Sequence, residues 1–224
     1  MTQFSSYELW KTNFKNTNRY NQLKDDFANL HFHKEWNALN HYSKITYPST
    51  PRQDFASHGI FSAIPFYYID WLAQSKPRQI YDLGCGWNIF KKYYPNIVGV
   101  DPDNSHADIH CGVDSSYVRE HEEYFESVFS INALHFIPLS QIRKRVENFA
   151  SMIKPGGRGW LAMNAMRMLE RDTESFKDKD KKFIQQYIKD QVNSLSSIQS
   201  LDIDLSILDE YLDGNIQIIF SKEL

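Results

Sequence analysis

A glycine turn directly after a short apolar strand constrains this chain more than any other feature. The segment Ile80-Tyr-Asp-Leu-Gly-Cys-Gly86 runs from a strand pattern into two glycines, and a second strand pattern, Ile97-Val-Gly-Val, ends on Asp101. Glycine lets the backbone turn tightly and lets a ligand lie against bare main chain. Asp101 follows Asp82 by about 20 residues, the spacing at which α/β folds place a carboxylate that accepts hydrogen bonds from ribose hydroxyls. The pattern therefore predicts a nucleoside-binding edge at the carboxyl ends of two parallel strands.

Strand and helix patterns alternate from residue 79 to the end of the chain. The predicted strands are 79–83, 97–100, 107–110, 127–131, 159–164, 203–208 and 215–220, and the predicted helices are 87–94, 139–153 and about 170–195. This alternation is typical of an α/β, doubly wound, mostly parallel sheet. The Asp213-Gly214 turn predicts a C-terminal antiparallel hairpin.

The first part of the chain has a different composition. We expect residues 1–54 to form an N-terminal helical and aromatic extension and residues 55–224 to form the main domain, with Pro65 kinking or bounding a helix over 55–73. The aromatic side chains of the extension either form a substrate lid or simply pack over the sheet edge; they are Trp10, Phe14, Trp36, Tyr42 and Tyr47.

The net charge and the cysteine content argue against nucleic acid and metal ions as binding partners. The formal net charge of −3 gives no support for tight non-specific binding to nucleic acid. The two cysteines, Cys85 and Cys111, form neither a disulfide framework nor a zinc pattern, so we expect no metal. No signal-peptide pattern and no run of membrane-spanning length occurs, so we expect a cytoplasmic protein without a membrane partner.

Four motifs together resemble those of class I S-adenosylmethionine-dependent methyltransferases, of the group called methyltransferase type 11. Asp82-Leu-Gly-Cys-Gly86 is similar to the family's glycine-rich motif, and Val98-Gly-Val-Asp101 is similar to its second acidic motif. Phe129-Ser-Ile-Asn-Ala-Leu-His-Phe136 resembles the motif of its fourth strand, and Met152-Ile-Lys-Pro-Gly-Gly157 resembles the turn before its fifth. The resemblance implies a Rossmann-like, seven-stranded sheet of order 3-2-1-4-5-7-6.

The resemblance also implies a cofactor, S-adenosylmethionine, with S-adenosylhomocysteine as the product. It places the methionine amino group near Asp82, the ribose hydroxyls on Asp101 and the adenine amine near Asp114. The residues implied to contact the cofactor are Asp82, Gly84, Cys85, Gly86, Asp101, Pro102, Val113, Asp114, Asn132 and Ala133.

His135, after the fourth predicted strand, is the candidate general base, and packing is the alternative role for it. We expect methyl transfer to an oxygen or nitrogen of a small molecule. An RNA- or protein-directed enzyme and a non-catalytic scaffold with this fold stay open as alternatives, and the sequence does not give the oligomeric state.

Two departures from the family pattern bear on the site. Asn88 stands where the glycine-rich motif has its third glycine. The stretch 103–107 is too short for a crossover helix, since parallel strands are normally joined by about 12 or more residues. We therefore expect this connection to be a loop and the third strand to be marginal.

Overall fold

The computed structural model describes residues 7–22, 63–134, 136–177, 179–196, 201–208 and 215–224 of the chain. The chain divides into two compact units, Met1–Trp71 and Leu72–Leu224. The boundary predicted between residues 54 and 55 lies outside the described residues.

Aromatic stacking organises the described part of the first unit. It contains α1 (Tyr7–Phe14) and most of α2 (Ala63–Ala73). The rings of Trp10 and Phe14 are buried and stack with their centroids 4.5 Å apart, and Trp10 Nε1 donates a hydrogen bond to Asp70 Oδ2 at 3.0 Å. Three of the aromatic residues suggested for a lid lie outside the described residues: Trp36, Tyr42 and Tyr47.

Strands and helices alternate in the second unit, as predicted. Its strands are β1 (Ile80–Leu83), β2 (Ile97–Val100), β3 (Phe125–Ile131), β4 (Ile153–Asn164), β5 (Leu201–Leu208) and β6 (Asn215–Lys222). Its helices are α3 (Ser115–Glu120), α4 (Ile142–Ser151), α5 (Ala165–Leu169), α6 (Thr173–Phe176) and α7 (Lys181–Ser196), with 3-10 turns at Ile89–Lys92 and Leu139–Gln141.

The strands form one mixed sheet in the order β2-β1-β3-β4-β6-β5. β2, β1, β3 and β4 pair in parallel, whereas β6 runs antiparallel to both β4 and β5. The prediction of a mostly parallel Rossmann-like sheet that ends in an antiparallel strand pair is confirmed. The turn at Asp213-Gly214 lies outside the described residues.

The described residues contribute six strands to the sheet, not the seven that were predicted. The segment expected to be the third strand, 107–110, makes an isolated parallel bridge between Ile109 and Val100 of β2. The connection from β2 is too short to hold a helix and bring back a full parallel strand, so only this single pairing forms.

Several elements have different bounds in the structure from those predicted from the sequence. The predicted helix 87–94 is only a 3-10 turn at Ile89–Lys92. β4 begins at Ile153 instead of residue 159, because the Lys154-Pro-Gly-Gly157 segment continues the strand through an irregular register. A Cβ at Gly157 would lie 2.9 Å from the Phe125 carbonyl oxygen, so glycine permits this close approach.

The long helix predicted over 170–195 is divided into α6 and α7. Asp180 precedes α7, and its Oδ1 accepts a hydrogen bond from the Phe183 backbone N–H at 2.8 Å, which is the geometry of an N-terminal cap. Helix α4 ends at Ser151, two residues earlier than predicted.

The core of the second unit lies against the central strands. Helix α4 buries Ile142, Val146 and Phe149, which recur at helical spacing along one face. This packing fixes the parallel strands so that the carboxyl ends of β1, β2, β3 and β4 meet at one edge of the sheet. None of the described helices is long and apolar enough to cross a membrane.

Candidate functional site

The glycine turn after β1 is held against the end of β2. The backbone N–H of Gly84 donates to the Val100 carbonyl oxygen at 2.7 Å. Gly84 has φ +76°, and a Cβ there would lie only 2.1 Å from the Cβ of Ala133. Glycine is therefore required at this position both by the backbone conformation and by the neighbour that follows β3.

Gly86 and Asp101 join the turn to the acidic end of β2. The Gly86 N–H donates to Asp101 Oδ2 at 3.1 Å, and Asp101 Oδ1 accepts from the backbone N–H groups of Asp103 and Asn104 at 3.1 and 3.0 Å. A Cβ at Gly86 would meet no atom within 4 Å. The turn therefore presents bare main chain to open space beside a fixed carboxylate, which keeps acceptor capacity for a ligand.

Asp82 is the most perturbed carboxyl group at this edge. It lies within β1, is only 3% exposed, and has Gly99 and Phe129 as its strand partners. Burial raises its pKa well above the usual value, and the negative charge of Asp101 raises it further. Two carboxyl groups in this arrangement disfavour an anionic ligand and favour a cationic one.

Asn132 supplies a second buried acceptor, directly after β3. Its backbone N–H donates to the Ala162 carbonyl oxygen at 2.9 Å, and its φ is +52°. Its side-chain Oδ1 is buried without a hydrogen-bond partner. A buried acceptor without a donor costs about 1–3 kcal/mol, so this oxygen is suited to accept a hydrogen bond from a bound ligand.

Cys85, between the two glycines, is a protonated thiol at neutral pH. Burial raises its pKa to about 12, with further contributions from the negative charges of Asp82, Asp101 and Asp108. A thiol in this state is a poor nucleophile. The role implied for Cys85 is therefore contact with a ligand, without covalent chemistry.

The remaining residues predicted to belong to the site are Pro102, Val113, Asp114 and His135. Pro102 is exposed, and Val113 is partly buried against the core. Asp114 caps α3, because its Oδ1 accepts from the backbone N–H groups of Ser116 and Tyr117 at 2.8 and 3.0 Å. Its contact with an adenine amine stays a prediction. His135, the candidate base, lies outside the described residues.

Asp108, which was not among the predicted site residues, accepts several hydrogen bonds beside the turn. Its Oδ2 accepts from the Gly99 N–H at 2.9 Å and from Asn88 Nδ2 at 3.1 Å, and Lys91 forms an ion pair with it. Asn88 is buried and has φ +51°, a conformation that asparagine tolerates better than most residues. The asparagine at the third position of the glycine motif was the signal that could have pointed to this network.

No family model matches the chain, and no curated protein matches its sequence. Solved structures do resemble it. A Pyrococcus horikoshii protein aligns with a TM-score of 0.48 and 14% identity, over 82% of this chain and 99% of its own. An S-adenosylmethionine-dependent methyltransferase from Archaeoglobus fulgidus aligns with a TM-score of 0.44 and 14% identity, over 71% of this chain and 92% of its own.

The CurJ carbon methyltransferase aligns with a TM-score of 0.47 and 14% identity over 72% of this chain. This chain spans about half of that protein, since the alignment covers 54% of it. The sheet order is that of a Rossmann-like fold. At 14% identity, these likenesses concern the fold alone.

Proposed function

We propose that this chain binds S-adenosylmethionine at the edge formed by Asp82, the glycine turn and Asp101, and transfers its methyl group to an oxygen or nitrogen of a small molecule. The observation that carries this proposal is the buried Asp82 carboxyl beside Asp101. Its raised pKa marks a place where a negative charge lacks compensation. Among the described residues, no donor forms a hydrogen bond with the side-chain carboxyl of Asp82, and burial and the charge of Asp101 are the causes of its raised pKa.

The donors of S-adenosylmethionine fit this set of acceptors. Its ammonium and sulfonium groups are cationic, which suits Asp82, and its ribose hydroxyls suit the remaining lone pairs of Asp101. The buried Asn132 Oδ1 offers a further acceptor. A dinucleotide fits less well, since its pyrophosphate would lie against two carboxyl groups where open α/β folds usually provide only amide donors.

When bound, the cofactor supplies an electrophilic methyl group. The residues of the chain then have to hold donor and acceptor in line and exclude water. Pro102 and Val113 would contact the adenine. The segment 107–110, which makes a single parallel bridge to Val100, would take the place of the family's third strand. His135 would accept the proton of a hydroxyl acceptor as the methyl group is transferred, or would deprotonate an ammonium acceptor before the free amine attacks.

Calorimetric titration with S-adenosylmethionine and S-adenosylhomocysteine tests cofactor binding. We expect micromolar affinity for the unmodified chain and a loss of about 1–3 kcal/mol in Asp101→Ala, the scale of a lost charged hydrogen bond. Asp103→Ala is the matched control, because Asp103 is an exposed acid in the same loop whose backbone N–H is retained. No binding by the unmodified chain, or equal affinities in the two variants, would overturn the proposal.

The class of acceptor requires a separate measurement. Transfer of a radioactive methyl group from the cofactor into extracts separated into metabolites, RNA and protein should label the metabolite fraction. His135→Ala should lower the rate of transfer about 10²–10⁴-fold while leaving S-adenosylhomocysteine affinity unchanged. Label in RNA or protein would favour a macromolecular substrate. Cofactor binding without any transfer would favour the scaffold.

A further inference from the structure

The segment between β2 and α3 contains no helix of the kind that normally follows a parallel strand. We propose that Asp108 takes over this support and is a positioning residue for Asp101, holding it where it can receive the ribose hydroxyls of the cofactor. This inference rests on the proposed function for its ligand. We call Asp108 with its side-chain partner Asn88 the Asp108 clamp, and Lys91 adds an exposed ion pair outside it.

Asp108 forms hydrogen bonds with the backbone of β2 at Gly99. Asp108 accepts from the Gly99 N–H through its side chain at 2.9 Å, and its own N–H donates to the Gly99 carbonyl oxygen, also at 2.9 Å. The Asp101 N–H in turn donates to the Ile109 carbonyl oxygen at 3.1 Å. Residues 108 and 109 therefore hold the Gly99–Asp101 segment at both of its ends.

The same carboxylate holds the glycine turn. Asn88 Nδ2 donates both to Asp108 Oδ2 at 3.1 Å and to the His106 carbonyl oxygen at 3.0 Å. The Asn88 N–H also donates to the Cys85 carbonyl oxygen at 2.9 Å, which closes the turn around Gly86. The donor and the acceptor of the Gly86–Asp101 hydrogen bond are thus each tied to Asp108.

Packing requires this arrangement as well. A Cβ on Gly99 would lie 2.6 Å from Asn88 Cγ and 2.7 Å from Cys85 Sγ, so β2 has a glycine where the Asn88 side chain crosses it. Burial alone would raise the pKa of Asp108, but hydrogen bonds from Lys91, Gly99 and Asn88 outweigh burial and hold that pKa below its usual value. The carboxylate therefore stays ionised at neutral pH, in the state that accepts all three donors.

Amide hydrogen exchange in the ligand-free full chain tests the clamp directly. In Asp108→Asn, the N–H groups that donate to Asp101 should exchange at least about tenfold faster, because their acceptor is no longer held. These are the amides of Gly86, Asp103 and Asn104. Lys91→Met is the control, since it removes an exposed ion pair and leaves the other two hydrogen bonds in place.

A ligand comparison then tests the role in ribose recognition. The unmodified chain should prefer S-adenosylhomocysteine over its 2′,3′-dideoxy analogue, and Asp108→Asn should reduce this preference about tenfold, the scale of one charge-assisted hydrogen bond. Asp108→Glu should restore part of it. Should Asp108→Asn fail to fold, Asn88→Gly serves instead, because glycine accepts the positive φ and the substitution removes the side-chain donor to Asp108 together with the rest of the buried amide.

Unchanged protection of the Gly86 amide in Asp108→Asn would overturn the proposal. The proposal would also be overturned if Asp108→Asn lost the same affinity for S-adenosylhomocysteine and for its dideoxy analogue, because the role of Asp108 would then be structural only. An unmodified chain that binds neither ligand would overturn the proposed function and, with it, the ribose role. Faster exchange at Gly86 would in that case still support the clamp.

Discussion

Asp82 and Asp101 lie at the carboxyl ends of the adjacent parallel strands β1 and β2, and the charge of Asp101 adds to burial in raising the pKa of Asp82. Folding thus brings a carboxyl group to a place where its ionised form is disfavoured. Such a group lowers the stability of the free protein, and it gains a compensating partner only when a cation binds. Stability and ligand affinity should therefore respond in opposite directions when Asp82 is changed.

Replacing Asp82 with asparagine should stabilise the free protein at neutral pH. The folded pKa of Asp82 is raised, so the folded state binds its proton more tightly than the unfolded state does. Stability consequently falls as pH rises from the usual carboxyl pKa towards the folded one, and Asp82→Asn should avoid this loss. We expect the free energy of unfolding at pH 7, measured in urea, to be higher in Asp82→Asn than in the unmodified chain.

The gain from Asp82→Asn should shrink towards zero when unfolding is measured below the usual carboxyl pKa, where both states are protonated. Asp103→Asn is the control, since Asp103 is exposed and should change stability little at either pH. A variant that is less stable at pH 7 than the unmodified chain would show that the Asp82 carboxylate is compensated inside the free protein.

The affinity for S-adenosylmethionine should rise with pH as Asp82 becomes ionised. The cationic ligand favours the carboxylate and lowers the pKa of Asp82, so binding releases a proton in the pH range between that lowered pKa and the raised pKa of the free protein. Calorimetry in two buffers of different ionisation enthalpy measures this release directly. Asp82→Asn should bind more weakly and without the release. Equal proton release in the variant would assign the titration to another group.

The sequence predicted the parallel sheet, the glycine turn and the acidic end of β2 because these features depend on local pattern. Gly84, Gly86 and Asp101 come together simply because β1 and β2 are neighbours, which their apolar character and spacing already indicated. Asp108 could not be recognised in this way. Its partner Asn88 is 20 residues away in sequence, and Gly99, nine residues away, is its neighbour through the bridge at Ile109. A single pairing of this kind leaves no periodic trace in the sequence.

Alanine at the two glycines of the turn should separate folding from binding. Gly84→Ala would place a Cβ 2.1 Å from Ala133 Cβ on a backbone with φ +76°, so we expect a loss of about 2–4 kcal/mol of stability. In Gly86→Ala the positive φ is the only source of strain, because the added methyl group would project into open space. It should cost only about 1 kcal/mol of stability but weaken cofactor binding at least about tenfold.

Urea unfolding and calorimetric titration, performed on both glycine variants, provide the measurement. The comparison is internally controlled, because both substitutions add one methyl group to the same turn. Gly86→Ala with unchanged affinity for S-adenosylhomocysteine would mean that the ligand does not lie against this part of the main chain.

Cys85 should react slowly with alkylating reagents and should be protected further by the cofactor. Its pKa of about 12 leaves a thiolate fraction of only about 10⁻⁴ at pH 8, so iodoacetamide should modify it at least about 100-fold more slowly than in the urea-unfolded chain. Mass spectrometry of peptides gives the rates for Cys85 and Cys111 in one sample. At pH 9–10, S-adenosylhomocysteine should slow the modification of Cys85 and leave that of Cys111 unchanged. Equal protection of both thiols would indicate a general tightening of the fold, and protection of neither would place the ligand away from the glycine turn.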